Sequence, residues 1–410
     1  MRSFKKIILF LHRWLGLISG LVVFILGVTG CLFVFQHEIS QWTRSEVLFI
    51  EQEHRSQTLP IKELQEKAAQ ALGVDYLPYG LTTYKNPDRN WSAMYYKGGG
   101  DGWTYFGTIK DYRTLYINPY NGEIAGIVNE EEDFFQIVKG IHWSLLLSTP
   151  IGQPIVVWST VIFIILLISG MILWWPKKWN RSGRQKSFKI KWNGTWRRVN
   201  YDLHNVLGFY FLVISLILGL TGLYWYFPFA QKSLHFLGTG EYKLPSPPAK
   251  KVVSTLPAEE TDFSALDAAY VNAWTEYPQA FSIAITAPVD SLGTISALVR
   301  PDGDTYYSNS SLQFDQYTGE LLAANRYSEL NAGEKLLSMN YDIHVGAIAG
   351  LPGKIIAFLA SLICASLPVT GFLIWWDREK RKKKTEKKKR GRNSATGRRK
   401  RKMKRQKMPF

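Results

Sequence analysis

Four stretches of this chain, roughly 9–35, 150–175, 203–227 and 352–376, are almost continuously apolar. A hydrocarbon core of ~30 Å takes about 20 helical residues to cross. Lipid offers the backbone no hydrogen-bonding partner, so such a stretch must satisfy its own peptide groups as a helix. The expected fold class is therefore an integral α-helical membrane protein with four transmembrane helices. Two of the stretches end in a tryptophan pair, Trp174-Trp175 and Trp375-Trp376, followed by charge (Lys177-Lys178 and Asp377-Arg378). Tryptophan gathers where lipid meets water, which accounts for much of a content of 15 Trp in 410 residues.

Charge gives the orientation. The N-terminus reads MRSFKK, and the segment 176–202 holds nine Lys or Arg against one acid. Within the tail 377–410, residues 378–410 are so basic that they account for the whole formal net charge of +17. Lysine and arginine mark cytoplasmic segments, so these three are expected inside and both termini cytoplasmic. The connections 36–149 and 228–351 are then extracytoplasmic. The tail is expected to be disordered and drawn to anionic membrane lipid. It lacks interleaved aromatics, and no nucleic-acid partner is expected. The first apolar run is longer than that of a secretory signal and no Ala-x-Ala follows it. It is read as a retained helix.

The chain also repeats itself. LHRWLGLISGLVVFILGVTG (11–30) and LHNVLGFYFLVISLILGLTG (203–222) share nine of twenty positions without a gap. The second and fourth spans match as well: 18 residues separate Gly152 from Gly170 and Gly353 from Gly371, and both later glycines follow a hydroxyl residue and precede the Trp pair. Each connection carries a strand–turn–strand pattern, YINPYNGEIAGI (116–127) and FDQYTGELLAA (314–324), whose glycine suits a turn with positive φ. IKELQEKAAQALG (61–73) reads as an amphipathic helix. Each half is thus expected to be helix, extracytoplasmic α+β module, helix, with an approximate two-fold axis along the membrane normal.

Four of the seven histidines occupy equivalent places, His12 with His204 and His142 with His344. His37, His54 and His235 have no counterpart. Helix rise of 1.5 Å per residue puts His12 about 25 Å from Thr29. His12 and His204 then lie near the cytoplasmic edge, with Ser169-Gly170 and Thr370-Gly371 at similar depth. His142 and His344 lie on the outer side, near Thr29-Gly30 and Thr221-Gly222. From His142 to Trp174 a straight helix would run about 48 Å, so either these histidines stand above the membrane or the helix breaks near Pro150 and Pro352. Ionisable residues in spans are costly and usually functional. A two-fold axis brings equivalent histidines face to face, one pair per membrane face. Two opposed imidazoles with space left by Gly30, Gly222, Gly170 and Gly371 are what a b-type haem needs. The same glycines also suit helix packing. Arg13, Arg197 and Arg198 cluster by the inner pair, either as partners for haem propionates or as positive-inside residues. Asp202 and Asp342, two residues before a paired histidine, read as acceptors for the imidazoles or as helix-start residues.

These motifs, Leu-His-x-x-Leu-Gly…Thr-Gly and His…Gly…Ser/Thr-Gly…Trp-Trp, recurring in order in both halves, resemble the PepSY-associated transmembrane family over residues 9–377. The resemblance implies four membrane helices with bound haem b, two haems ligated axially by His12, His204, His142 and His344, and a pair of periplasmic PepSY-like modules. It further implies an inner-membrane oxidoreductase that passes electrons to a ferric siderophore so that the weaker-bound Fe(II) is released. No Gly-x-Gly-x-x-Gly after a strand and no phosphate-binding loop is present, so a quinol or a separate cytoplasmic reductase is expected as electron donor. A haem-free anchor displaying partner-binding modules is the alternative, as is electron transfer to another periplasmic acceptor. The aromatic runs Trp91–Tyr96 and Trp103–Phe106 read as strand faces or as pocket lining.

Overall fold

The computed structural model describes residues 2–50, 57–176, 179–245, 252–255 and 264–405. His54, Lys177 and Lys178 lie outside them. In chain order, leaving unnumbered the two-turn helices Gln36–Thr43 and Arg181–Phe188 and the remaining short turns, the elements are α1 (Arg2–Phe33), α2 (Ile61–Leu72), β1 (Leu81–Tyr84), β2 (Trp91–Gly98), β3 (Ile109–Ile117), β4 (Ile124–Asn129), α3 (Phe134–Ser144) and α4 (Thr149–Trp174). The second half gives α5 (Trp196–Asp202), α6 (Leu212–Leu223), α7 (Pro228–Thr239), α8 (Ala265–Glu276), β5 (Ser282–Thr286), β6 (Thr294–Arg300), β7 (Ser310–Asp315), β8 (Leu321–Asn325), α9 (Ala332–His344) and α10 (Gly350–Arg405).

Among the described residues, three helical stretches are long and apolar enough to cross a membrane: Phe4–Phe33, Thr149–Trp174 and Ala347–Glu386. A fourth span is made only if Trp196–Tyr210 and Leu212–Leu223, bent by 66°, count as one. The bend falls at Phe211, whose backbone leaves the helical range at φ −94°, ψ 4°. Just before it, Leu203–Leu207 winds as a π-helical turn, a local irregularity of the helix. Much of the apolar surface of these helices faces outward; Ile18 and Leu21 are each 71% exposed, as suits lipid-facing positions. Where helices do meet they come close. A Cβ on Gly27 of α1 would lie 2.7 Å from the backbone nitrogen of Ala365 in α10, so only glycine allows that crossing.

The fourth helix does not stop at the membrane edge. It runs without a break to Arg405, where the sequence suggested a disordered tail; lysine and arginine are good helix formers, and the preceding span supplies the nucleus.

The extramembrane parts form one antiparallel sheet of eight strands, in the order β4-β3-β2-β1-β5-β6-β7-β8. Each half supplies four strands and one covering helix, α2 or α8. The two four-stranded units, expected as separate modules, fuse where β1 pairs with β5, Leu81 opposite Ile285 and Tyr84 opposite Ser282. Fusion removes two open edges that would otherwise present unpaired peptide groups. Alternate residues of the strands point to one face. Leu81, Leu115, Ile283, Ile285, Leu312 and Phe314 are buried there beneath Leu64 and Ala68 of α2 and Ala269 and Ala273 of α8. Gln65 donates to the Ile285 carbonyl at 2.9 Å and Trp274 donates to Thr83 at 3.0 Å, tying each helix to the other half's strands. The expected helix at 61–73 and both hairpins are present. Gly122 (φ 74°) and Gly319 (φ 72°) make the turns.

The helices carrying His142 and His344 are separate from the spans. α3 ends at Ser144 and α4 begins at Thr149; α9 ends at His344 and α10 begins at Gly350. This break resolves the excess length noted above. Gly346 turns the second connection at φ 79°, while in the first Leu145 and Leu146 hold φ 56° and 58°, a backbone that costs a leucine roughly 1–2 kcal/mol.

Candidate functional site

The fold brings the four equivalent histidines together as two pairs. The ring centroids of His12 and His204 are 6.4 Å apart, and those of His142 and His344 are 6.2 Å apart. The rings of each pair are steeply crossed, at 88° and 69°.

Each imidazole is held in one way. Nδ1 of His12 lies 2.8 Å from Ser169 Oγ, and that of His204 lies 2.9 Å from Thr370 Oγ1. Nδ1 of His142 lies 2.9 Å from Thr29 Oγ1, and that of His344 lies 2.8 Å from Thr221 Oγ1. A hydroxyl has one proton to give. Here each gives it to a carbonyl of its own helix: Thr29 to Ile25 (2.8 Å), Thr221 to Ile217 (2.7 Å), Thr370 to Ser366 (2.9 Å) and Ser169 to Leu166 (3.2 Å). With the hydroxyl proton directed to its own helix, the hydroxyl oxygen accepts from the ring, and this arrangement has Nδ1 carrying the proton and donating. Nε2 keeps a bare lone pair, the state of a metal ligand. No hydrogen bond to any of these four Nε2 atoms occurs among the described residues.

The glycine after each hydroxyl has a matching role. A Cβ on Gly170 would lie 3.3 Å from Cε1 of His12, and one on Gly371 would lie 3.2 Å from Cε1 of His204. On the other pair, Gly30 faces His142 at 3.7 Å and Gly222 faces His344 at 3.5 Å. These glycines make room for the histidine rings themselves. Gly170 and Gly371 also border, with Gly16, Gly20 and Gly208, a cavity of about 730 Å³ beside His12 and His204.

A metal–imidazole bond is about 2.0 Å long, and the ring centre lies a further ~1.1 Å beyond the nitrogen. Two imidazoles on one metal ion therefore set their centroids about 6.2 Å apart, the spacing seen in both pairs. Among the described residues no group of three or more His, Cys, Asp or Glu side chains is placed to hold a metal ion. A bare ion that wants four protein ligands is poorly served. A metal that brings four equatorial ligands of its own needs only these two.

The three arginines separate. Arg13 borders the cavity, with its Nε buried and unpaired and its guanidinium 5.6 Å from the Trp14 ring. Arg197 pairs with Asp377 at 3.1 Å and Arg198 with Asp202 at 2.8 Å, so their charge is committed within the chain. Arg378 also borders the cavity, a second cation that the sequence reading passed over. Asp202 and Asp342 do not reach a histidine. Asp202 accepts from the Lys191 N–H and from Arg198, and Asp342 accepts from the Tyr306 N–H.

Asn200 and Asn340 were also passed over. Asn200 donates to the Thr370 carbonyl at 3.1 Å and Asn340 to the Thr221 carbonyl at 3.3 Å. Each thus braces the residue that orients the histidine four positions later. The signal was present: NYDLH (200–204) and NYDIH (340–344) differ at one position.

The two histidine pairs sit at opposite ends of α1, His12 near its start and Thr29, partner of His142, near its end. They are separated by roughly 25 Å of helix. No curated protein matches this chain. The family model for the PepSY-associated TM region matches residues 9–378. That match takes in both histidine pairs, their hydroxyl partners and all eight strands of the sheet, and the chain belongs to the PepSY-associated transmembrane family.

Proposed function

We propose that the protein is a haem b-containing reductase of the bacterial inner membrane. In this reading it draws electrons from a quinol or a cytoplasmic reductase and delivers them to a ferric siderophore on the periplasmic side. The observation that carries it is the pair of imidazole–imidazole distances, 6.4 and 6.2 Å, each with both Nε2 lone pairs free.

His12 with His204, and His142 with His344, would each hold one haem. A haem held by two histidines supplies one-electron transfer and leaves no open position for O₂. The protein's own contribution is orientation. Ser169, Thr370, Thr29 and Thr221 fix the ligating tautomer, and the adjoining glycines let the rings sit flush against the partner helix. Arg13 and Arg378 are placed to pair with carboxylates at the inner site. The apolar spans exclude water from both.

In the proposed topology the N-terminus, the segment 176–202 and the tail are cytoplasmic, and the sheet is periplasmic. The basic tail lies against anionic lipid.

The test is turnover. Protein in vesicles, reduced chemically, is offered a ferric siderophore, and Fe(II) is trapped with a coloured chelator. Fe(II) appearing in step with reoxidation of the protein supports the reading. A protein that is reduced but stays so in the presence of siderophore contradicts it.

A further inference from the structure

A second cavity, about 430 Å³, lies between the sheet and α3, on the far side of α3 from His142. Gly140, Trp143 and Ser144 line it, and all three lie within two residues of His142. The cavity is thus within about one helix diameter, 10–12 Å, of that imidazole. Its volume falls in the range of small-molecule sites, about 300–1,000 Å³.

The lining is aromatic and under-satisfied. Tyr79, Tyr96, Tyr105, Tyr112 and Trp143 supply ring faces and edges. Tyr96 and Tyr112 meet edge to face at 5.2 Å. Two polar atoms here are buried without a hydrogen-bond partner among the described residues: the Tyr105 hydroxyl and Oε1 of Gln136. Gln136 spends its Nε2 on the Tyr112 hydroxyl at 3.2 Å, leaving Oε1 as a free acceptor. Burial pushes the Tyr105 and Tyr112 hydroxyls up to about 12, so both stay protonated and can donate. Lys139 stands at the same site, exposed and without an ion pair among the described residues. The acidic neighbours Glu130 and Asp133 share one cation, Arg44, at 2.7 Å from each. Unsatisfied buried polar atoms are rare enough in native proteins to need an explanation, and a ligand supplies one.

We propose that this cavity binds the acceptor, and that the acceptor is an iron(III) chelate with aryl arms of the catecholate type. An aryl ring packs among the tyrosines and Trp143. Its oxygens accept from the Tyr105 hydroxyl and the Lys139 ammonium, and an amide N–H of the arm donates to Gln136. The cavity admits an arm rather than a whole chelate, with the metal near its mouth. A ring-free hydroxamate would leave the aromatic wall unused. The proposal rests on the reductase reading for its biological sense. Reduction itself is a one-electron change, Fe(III) to Fe(II), with the electron drawn from the quinol or cytoplasmic reductase named above and no covalent bond made.

The experiment uses gallium(III), which matches iron(III) in size and is not reduced under these conditions. Calorimetry measures binding of the gallium complex of 2,3-dihydroxybenzamide and of acetohydroxamate to the full-length protein, alongside a count of haem. The catecholamide complex should bind at least tenfold more tightly than the hydroxamate, and Tyr105→Phe and Lys139→Met should each weaken it about tenfold. Tyr105→Phe removes a hydroxyl that no other group holds, so the fold loses no hydrogen bond. Equal binding of the two complexes, or variants that bind as the parent does, overturns the proposal. Because gallium binding needs no electron, a colourless protein that still binds the catecholamide complex keeps the cavity and sinks the reductase reading. A haem-loaded protein that reduces siderophore with no dependence on Tyr105 or Lys139 does the reverse.

Discussion

The imidazole of His344 and the hydroxyl of Thr221 meet at 2.8 Å across two helices that are 123 residues apart in sequence. Because the Thr221 proton is already given to Ile217, the contact fixes the histidine as an Nδ1 donor. The same relationship recurs at His12, His142 and His204. Removing the acceptor frees the ring to turn or change tautomer. Loss of such a partner costs about 10–100-fold in metal affinity. Thr221→Val should therefore weaken haem retention at the outer site by that order and leave the inner site unchanged. Haem counted per chain after gel filtration reads it.

The glycines differ in how tightly they meet the rings. A methyl on Gly371 lies 3.2 Å from His204, closer than most contacts allow, while one on Gly222 lies 3.5 Å from His344, an ordinary contact. Gly371→Ala should disturb the inner site, seen as a broadened or weakened low-spin band. Gly222→Ala should leave the outer site near parental. Equal effects of the two would contradict this account.

The crossed imidazole planes, 88° and 69°, have a spectroscopic consequence. Parallel ligand planes separate the iron dπ orbitals, and crossed planes bring them near degeneracy. Both oxidised centres should give highly anisotropic low-spin EPR signals with a large maximum g value. Two ordinary rhombic signals would mean that the rings turn parallel when the metal is bound.

Acid sensitivity of the sheet should centre on Asp315. Burial alone would raise its pKa, but N–H donors of Thr255, Tyr317 and Thr318 outweigh that and hold the carboxyl below its usual value. A group whose folded pKa is depressed contributes stability above the unfolded pKa, near 3.9 for aspartate, and loses it as pH falls through the folded value. Asp315→Asn should unfold at lower temperature than the parent at pH 7, with the gap closing below about pH 4. Thermal unfolding at both pH values, followed by tryptophan fluorescence, checks it.

Much of this was legible in the sequence because it was written twice. The repeat gave the spans, the hairpins and the pairing of His12 with His204 and of His142 with His344. The Ser/Thr-Gly dipeptides were visible too, and their glycines were read as space for a macrocycle; Gly170 and Gly371 border the cavity beside His12 and His204, but that the hydroxyl before each glycine would hold a histidine ring was not visible. Sequence spacing within one helix cannot show which hydroxyl on another helix a histidine will meet. The fusion of the two sheet halves was hidden for a related reason. β1 and β5 are short, and their pairing joins residues some 200 positions apart, with no local signal. The π-helical turn at His204 also escaped, since LHRWLG and LHNVLG carry the same pattern while only the second winds that way.

The central claim is that the four histidines form two bis-imidazole centres, and one measurement addresses it directly. The reduced-minus-oxidised visible spectrum of the purified protein, with haem counted per chain, is recorded for the parent and for the four single His→Ala variants. The account predicts two haems with sharp low-spin bands. His12→Ala or His204→Ala should remove one, and His142→Ala or His344→Ala the other. A colourless protein, or bands indifferent to all four changes, would contradict it.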